Sequence, residues 1–221
     1  MNGNKSFVFS EDDLSLDQYA DNFYLQTKQR AEAELISAGE KSELNYKIFR
    51  VGNLMHNSQS GKFQENIGDN AFYTVVNSYL NLGMIPNVDF EISDFCFVDY
   101  TSRGILTLFS TEELNREIFH LVNPNRFSLI EFGKLLKNAG YSVKGIDLAD
   151  YLDEIYRIYN EDENNRDISN LFLHSAIFKE NYFFPGLQYI SERTNKILEK
   201  ENFSWPLLDS DHIKKMVELC R

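Results

Sequence analysis

The sequence is poor in the residues from which small functional sites are usually built. It has two cysteines, Cys96 inside an apolar run and Cys220 near the end, too few for a disulfide framework and without metal-ligand spacing. That usage fits a reducing, cytoplasmic setting. Four histidines are scattered, none paired at helical spacing, which argues against zinc. The eleven glycines never fall into Gly-x-Gly-x-x-Gly or a looser three-glycine turn after a strand, so no loop of this chain is set to cradle a pyrophosphate. No window approaches about eighteen apolar residues, and the first residues are polar and acidic, so neither a membrane span nor a signal peptide is expected. Positive charge is scarce as well. With 22 Lys and Arg against 34 Asp and Glu the net charge is −12, and no basic stripe offers itself to a nucleic-acid backbone.

What is present suffices for a folded protein. Its 221 residues, 43% of them apolar, can form one sizeable core or two modest ones. The chain is organised around Asn22-Phe23-Tyr24-Leu25-Gln26-Thr27-Lys28. If this stretch opens a helix, Tyr24 and Lys28 stand four apart on one face, where an ammonium favours the phenolate and suits the phenol to proton transfer. Strong helix formers follow from Gln29 to Ile36. Asn22 is the predicted cap and Gly39 the predicted stop, giving a helix over 22–38. Residues 45–54 alternate and then run apolar as a buried strand does, with Gly52, Asn53 and Leu54 at its carboxyl end, where open parallel sheets place their ligands.

Tyr-x-x-x-Lys at the start of a helix, followed by a strand ending Arg50-Val51-Gly52-Asn53-Leu54, resembles the second half of an extended short-chain dehydrogenase/reductase. The finer resemblance is to the thioester reductase domains that end nonribosomal peptide synthetases. Gly61-Lys62-Phe63-Gln64-Glu65-Asn66 with Asn70-Ala71-Phe72 carries it, as do Asp94-Phe95-Cys96-Phe97-Val98-Asp99-Tyr100 and Ile118-Phe119-His120-Leu121-Val122-Asn123-Pro124. Together these motifs span roughly residues 7 to 155.

The resemblance implies an α/β fold, the C-terminal portion of an extended Rossmann-type reductase without its nucleotide-binding half. Residues 1–125 would be the remnant of the reductase core, with a substrate loop over 55–98. Residues 126–221 would be a mainly helical substrate cap. It implies Tyr24 and Lys28 as catalytic residues, and Tyr24, Lys28, Val51, Gly52, Asn53 and Leu54 around the cofactor, NADPH, most of which other residues must hold. Phe63, Gln64 and Asn70 would face the acyl and pantetheine channel, and the partner would be a phosphopantetheinyl carrier domain bearing a thioester. The family's Ser or Thr is matched by neither Ser6 nor Ser10. By itself the chain is expected not to turn over, and a complementing N-terminal half or self-association is expected. Two alternatives stay open. One is a related reductase, epimerase or dehydratase acting on acyl-CoA or a nucleotide sugar, for which Lys62 and Arg103 could anchor a diphosphate. The other is a non-catalytic carrier-docking module.

Further along, His56 to Gly68 reads as a mobile loop and Asn70 to Gly83 as a helix broken at Pro86. Residues 89–98 read as a strand, 99–108 as a helix entered by a structural Asp99, and 117–122 as a buried strand. Ser128 and Glu131 predict a capping box for a helix ending at Gly140. Beyond it a short strand over 142–144 precedes helices over 146–159, 168–179, 188–201 and 209–219.

Overall fold

The computed structural model describes residues 7–13, 23–89, 91–178 and 187–220. In chain order the elements are β1 (Phe7–Phe9), α1 (Phe23–Ser42), β2 (Lys47–Val51), β3 (Asn53–Met55), α2 (Ala71–Leu82), β4 (Met84–Asn87), β5 (Glu91–Phe97), α3 (Val98–Ser110), β6 (Glu117–Leu121), β7 (Arg126–Ser128), α4 (Leu129–Asn138), β8 (Lys144–Asp147), α5 (Leu148–Glu161), α6 (Arg166–His174), β9 (Leu187–Tyr189), α7 (Glu192–Lys200) and α8 (Ser210–Cys220). The chain divides into two interleaved units. Unit 1 takes residues 1–52, 100–124 and 186–205; unit 2 takes 53–99, 125–185 and 206–221.

In unit 1, β1 pairs with β9 and β2 with β6, both in parallel. Leu108, Phe119, Leu121, Leu198 and Phe203 form its core. Gly104 of α3 lets the Leu121 side chain approach: an added Cβ would stand 2.9 Å from Cδ2. Lys47 of β2 reaches the far end of α3, where its ammonium donates to the carbonyls of Leu108, Phe109 and Thr111 at 2.8, 2.8 and 2.6 Å. Those carbonyls end a helix and have no partner within it, so a cation is well placed there.

In unit 2, β5 pairs in parallel with β3 and antiparallel with β7, and β4 pairs in parallel with β8. Asn70 caps α2 by accepting from the Phe72 and Tyr73 amides, and Gly83 closes it at φ 66°, a left-handed conformation that suits glycine. Helix α2 packs against α6 and α8. The capping box of Ser128 and Glu131 at the start of α4 is formed as predicted.

Several predicted boundaries move. Helix α1 passes through Gly39 to Ser42, and Gly39 serves packing instead of termination: a Cβ there would meet the Tyr46 ring at 2.4 Å. The expected strand 45–54 is two strands separated at Gly52, each with its own partner. Among the described residues β2 pairs on one edge, with β6, and no strand pairs on its other edge. Pro86 lies within β4, and the residues read as the opening of a helix at 188 are β9. The helix expected over 168–179 ends at His174 and gives way to a 3-10 turn, Ala176–Phe178. Asn22, Ser6 and the aromatic run 182–185 lie outside the described residues.

Candidate functional site

The predicted catalytic pair starts α1 in unit 1. Tyr24 and Lys28 are both within the helix, so their Cα–Cβ bonds leave one face a turn apart. The Tyr24 side chain is outside the described residues, and Lys28 is exposed. Val51 ends β2 with 38% of its surface exposed, and the Gly52 amide donates to the Leu121 carbonyl at 3.0 Å, extending the β2–β6 ladder by one rung. Asn53 and Leu54 open β3 in unit 2, with Leu54 40% exposed. At the end of β2, Val51 and Gly52 therefore keep part of their surface accessible.

One turn beyond Lys28, Glu32 is joined to β2. Arg50 Nε lies 3.1 Å from both Glu32 carboxylate oxygens and NH2 lies 2.8 Å from Oε2. The same guanidinium donates to the Asp13 carbonyl at 2.8 Å and stands over the Phe9 ring at 4.7 Å. His120 of β6 places Nδ1 2.8 Å from the Ile190 carbonyl, which makes Nδ1 the donor and leaves Nε2 to accept from Arg50 NH1 at 3.1 Å. Burial, and then the charge of Arg50, hold His120 below the ordinary histidine range. The nearly buried Glu11 accepts from the Thr194 amide and hydroxyl, and Arg193 of α7 pairs with Glu11 and Glu117. Ser10 donates its hydroxyl to Asp13 at 2.9 Å.

In unit 2 the predicted substrate loop is held in place. Asn57 Oδ1 accepts from the Gln59 and Ser60 amides at 3.1 and 2.9 Å, and the Asn57 amide donates to the Lys62 carbonyl at 2.8 Å. Asp99, at the start of α3, accepts the Ser58 amide at 2.9 Å and the Ser58 hydroxyl at 2.6 Å. From α8, Lys215 donates to the Ser58 carbonyl at 2.6 Å, and its methylenes fill the space beside Gly61, where φ is 69°. The expected mobile loop is thus a cross-braced turn; Asp99 has the structural role foreseen for it, exercised on that turn. Phe63 stacks on Tyr73 with ring centroids 5.4 Å apart, and Asn70 Oδ1 is occupied as the α2 cap. Gln64 is exposed and its amide reaches the Asn66 carbonyl at 3.4 Å. Of the two proposed diphosphate anchors, Lys62 is exposed and Arg103 lies 4.8 Å over both the Tyr100 and Phe203 rings.

Beside the turn, His56 is fully buried. Its Nδ1 lies 3.1 Å from the Tyr73 hydroxyl, and Nε2 has no hydrogen-bond partner among the described residues. Burial lowers its pKa to about 4, helped by His212 and Lys215, and burial pushes the Tyr73 phenol up. Cys220, nearby, is pushed up to about 12 by burial, so neither it nor Tyr73 is an acid or nucleophile ready at neutral pH. Sequence reading missed Arg50, Glu32, His120 and Lys215 as organisers. Only the spacing of Glu32 from Lys28, another i,i+4 step, could have flagged one of them.

Residues 2–105 match the family model described as male sterility protein, a NAD-binding family. The terminal R domain from the myxalamid PKS-NRPS biosynthetic pathway superposes with a TM-score of 0.79 at 23% identity, over 98% of this chain and 53% of that one. A thiolation-reductase di-domain from an archaeal nonribosomal peptide synthetase gives 0.77 at 28% identity, over 98% and 43%. The chain has the fold of a terminal reductase domain. Along 98% of its length it is also 21% identical to a linear gramicidin synthase of Brevibacillus parabrevis, of which it covers 4%. The chain spans about half the length of the myxalamid domain it matches.

A nicotinamide dinucleotide is the cofactor class these likenesses support. At the end of β2 the residues present leave room for its nicotinamide end: Val51 is partly exposed, Gly52 has no side chain to obstruct a ring, and Lys28 of the same unit is exposed. For the pyrophosphate end the sequence has no three-glycine turn. Among the described residues no three metal-capable side chains gather, and no helix is long and apolar enough to cross a membrane.

Proposed function

We propose that this chain is the catalytic and substrate-binding part of an NADPH-dependent reductase that releases a carrier-bound acyl or peptidyl thioester as an aldehyde or alcohol. The observation that carries the reading is the Tyr24–Lys28 spacing at the start of α1, within a chain that follows a thiolation-reductase di-domain over 98% of its own length. Bound NADPH supplies the hydride. Tyr24 hydrogen-bonds the thioester carbonyl and gives its phenolic proton to the oxygen as negative charge develops there. The hemithioacetal so formed then breaks its C–S bond, its hydroxyl proton passing to the departing carrier thiolate, which frees the aldehyde. A second hydride and proton take the aldehyde to the alcohol. Lys28 stabilises the phenolate that remains and binds the ribose hydroxyls, and Val51 to Leu54 shelter the nicotinamide from water. Phe63, Gln64 and Asn70 line the path of the acyl chain, and residues 126–221 act as the substrate cap. The pyrophosphate is held by residues outside these 221, the carrier domain presents the thioester, and the setting is cytoplasmic.

The test uses a polypeptide in which this chain is joined to a dinucleotide-binding half. Consumption of NADPH with a carrier-bound thioester should fall about 10²- to 10⁴-fold in Tyr24→Phe, while NADH supports little turnover. Unchanged turnover in Tyr24→Phe would remove the phenol from the mechanism. Tight NADPH binding by the 221 residues alone would contradict the need for a second half.

A further inference from the structure

Helix α1 is tied to the sheet of unit 1 at Glu32, one turn beyond Lys28. Arg50 and Glu32 have only 15% and 21% of their side-chain surfaces exposed, so the pair is drawn out of bulk water although most of α1 is exposed. Three short contacts in fork geometry join guanidinium and carboxylate, which sets the rotation of the helix about its axis more closely than a single ammonium could. The guanidinium is fixed in turn by the Asp13 carbonyl, the Phe9 ring and His120 Nε2. Among the described residues the charged or titratable groups around it are Glu32 from α1, His120 from β6, and Asp13 and Glu11 from the segment after β1. Arg193 and Glu117 complete the network at its edge.

Glu32 also stands at the i,i+4 position from Lys28, where ammonium and carboxylate on one helix attract each other. A carboxylate without Arg50 would draw the Lys28 ammonium along the helix away from Tyr24 and cancel part of its field. We propose that Arg50 is a positioning residue: by occupying the Glu32 carboxylate it fixes the rotation of α1 against β2 and keeps Glu32 from competing with Tyr24 for the charge of Lys28. The inference rests on the Tyr24–Lys28 pair proposed above and adds the residue that sets that pair's geometry and electrostatics.

The test is made on the 221-residue chain and needs no turnover. Tyrosine rings are labelled with carbon-13, the Tyr24 resonance is assigned by its loss in Tyr24→Phe, and its titration midpoint is followed by NMR. Arg50→Met should raise the midpoint by about 0.3 units, the size of an i,i+4 charge interaction. Glu32→Gln added to Arg50→Met should bring it back, because the competing carboxylate is gone. Glu32→Gln alone, which keeps the cation in β2, should leave the midpoint at or below that of the wild type. The proposal is overturned if Arg50→Met leaves Tyr24 unmoved, if the double variant stays as shifted as the single one, or if Glu32→Gln alone raises the midpoint as Arg50→Met does. Should Arg50→Met not fold, Arg50→Lys and Glu32→Gln carry the same comparison, the lysine giving a smaller upward shift. In Lys28→Met an unmoved midpoint would place the failure in the Tyr24–Lys28 pair itself, whereas a shift there with none in Arg50→Met would place it in the role of Arg50.

Discussion

In unit 2, α2 buries Tyr73, Val76, Ser78 and Tyr79 and is closed by Asn70 at one end and Gly83 at the other. In unit 1, α1 is 20 residues long against 12 for α2, and buries only Gly39 among its described residues. The contrast is written in composition. Phe72, Val75, Val76, Tyr79 and Leu80 give α2 an apolar stripe that leaves water on packing, whereas Gln26 to Glu34 of α1 has no apolar side chain larger than Ala31 and Ala33. A helix of that kind is placed by specific polar contacts, here Arg50 to Glu32, or by surfaces supplied from outside the chain. Unit 2 is held by its core; the helix carrying the proposed proton donor is held by a charge pair.

The largest effect that would test this contrast is a truncation in each unit. Phe132 is 1% exposed and stacks on Phe95 at 5.8 Å, so Phe132→Ala should lower stability by about 3–5 kcal/mol in urea unfolding. Phe23, at the start of α1, is 86% exposed, and Phe23→Ala should stay within about 0.5 kcal/mol. Similar losses for the two would mean that α1 is packed as firmly as α4 of unit 2.

Local chemistry was legible in the sequence and distant contacts were not. The capping box of Ser128 and Glu131 and the left-handed Gly83 are set by residues within a turn of each other, and they stand where the sequence puts them. Gly39 was read as a stop because glycine usually is one there, but the nearby Tyr46 ring occupies the space a side chain would need. The turn after His56 read as loose from its serines and asparagines, yet Lys215, 157 positions away from Ser58, braces it. The same division holds for the candidate site. The proposed pair Tyr24 and Lys28 rests on a short spacing that the sequence itself displays; Arg50 is in view there as a motif residue, but its tie to Glu32 exists only in the folded chain.

Each unit also buries a histidine, and acid should separate them. His56 titrates near 4 in the folded protein because it is buried, while His120 is lowered by burial and by Arg50. A folded pKa below the unfolded value of about 6.5 means that the unfolded chain binds more protons, so stability falls as pH drops from about 6.5 toward 4. His56→Gln should remove up to one proton's worth of that slope from the unfolding of unit 2 and leave the His120 contribution in place. If the slope is unchanged, His56 is not the group that makes unit 2 acid-sensitive.

The smallest effect belongs to another paired arginine, this one held between two carboxylates. Arg157 of α5 lies 2.7 Å from Glu154 and 2.5 Å from Glu161, contacts as short as those of Arg50, and both partners raise its pKa further. Its side chain is 54% exposed against 15% for Arg50. In water the attraction is screened, and ordering three long side chains offsets what remains, so short distances do not by themselves make a pair matter. Arg157→Ala should leave the urea midpoint of unit 2 where it is, at low and at high salt alike. Arg50→Met should speed amide exchange along α1 after Lys28. A shifted midpoint in Arg157→Ala, together with unchanged exchange in Arg50→Met, would reverse the comparison and make surface pairing, not burial, the property that decides which guanidinium holds its helix.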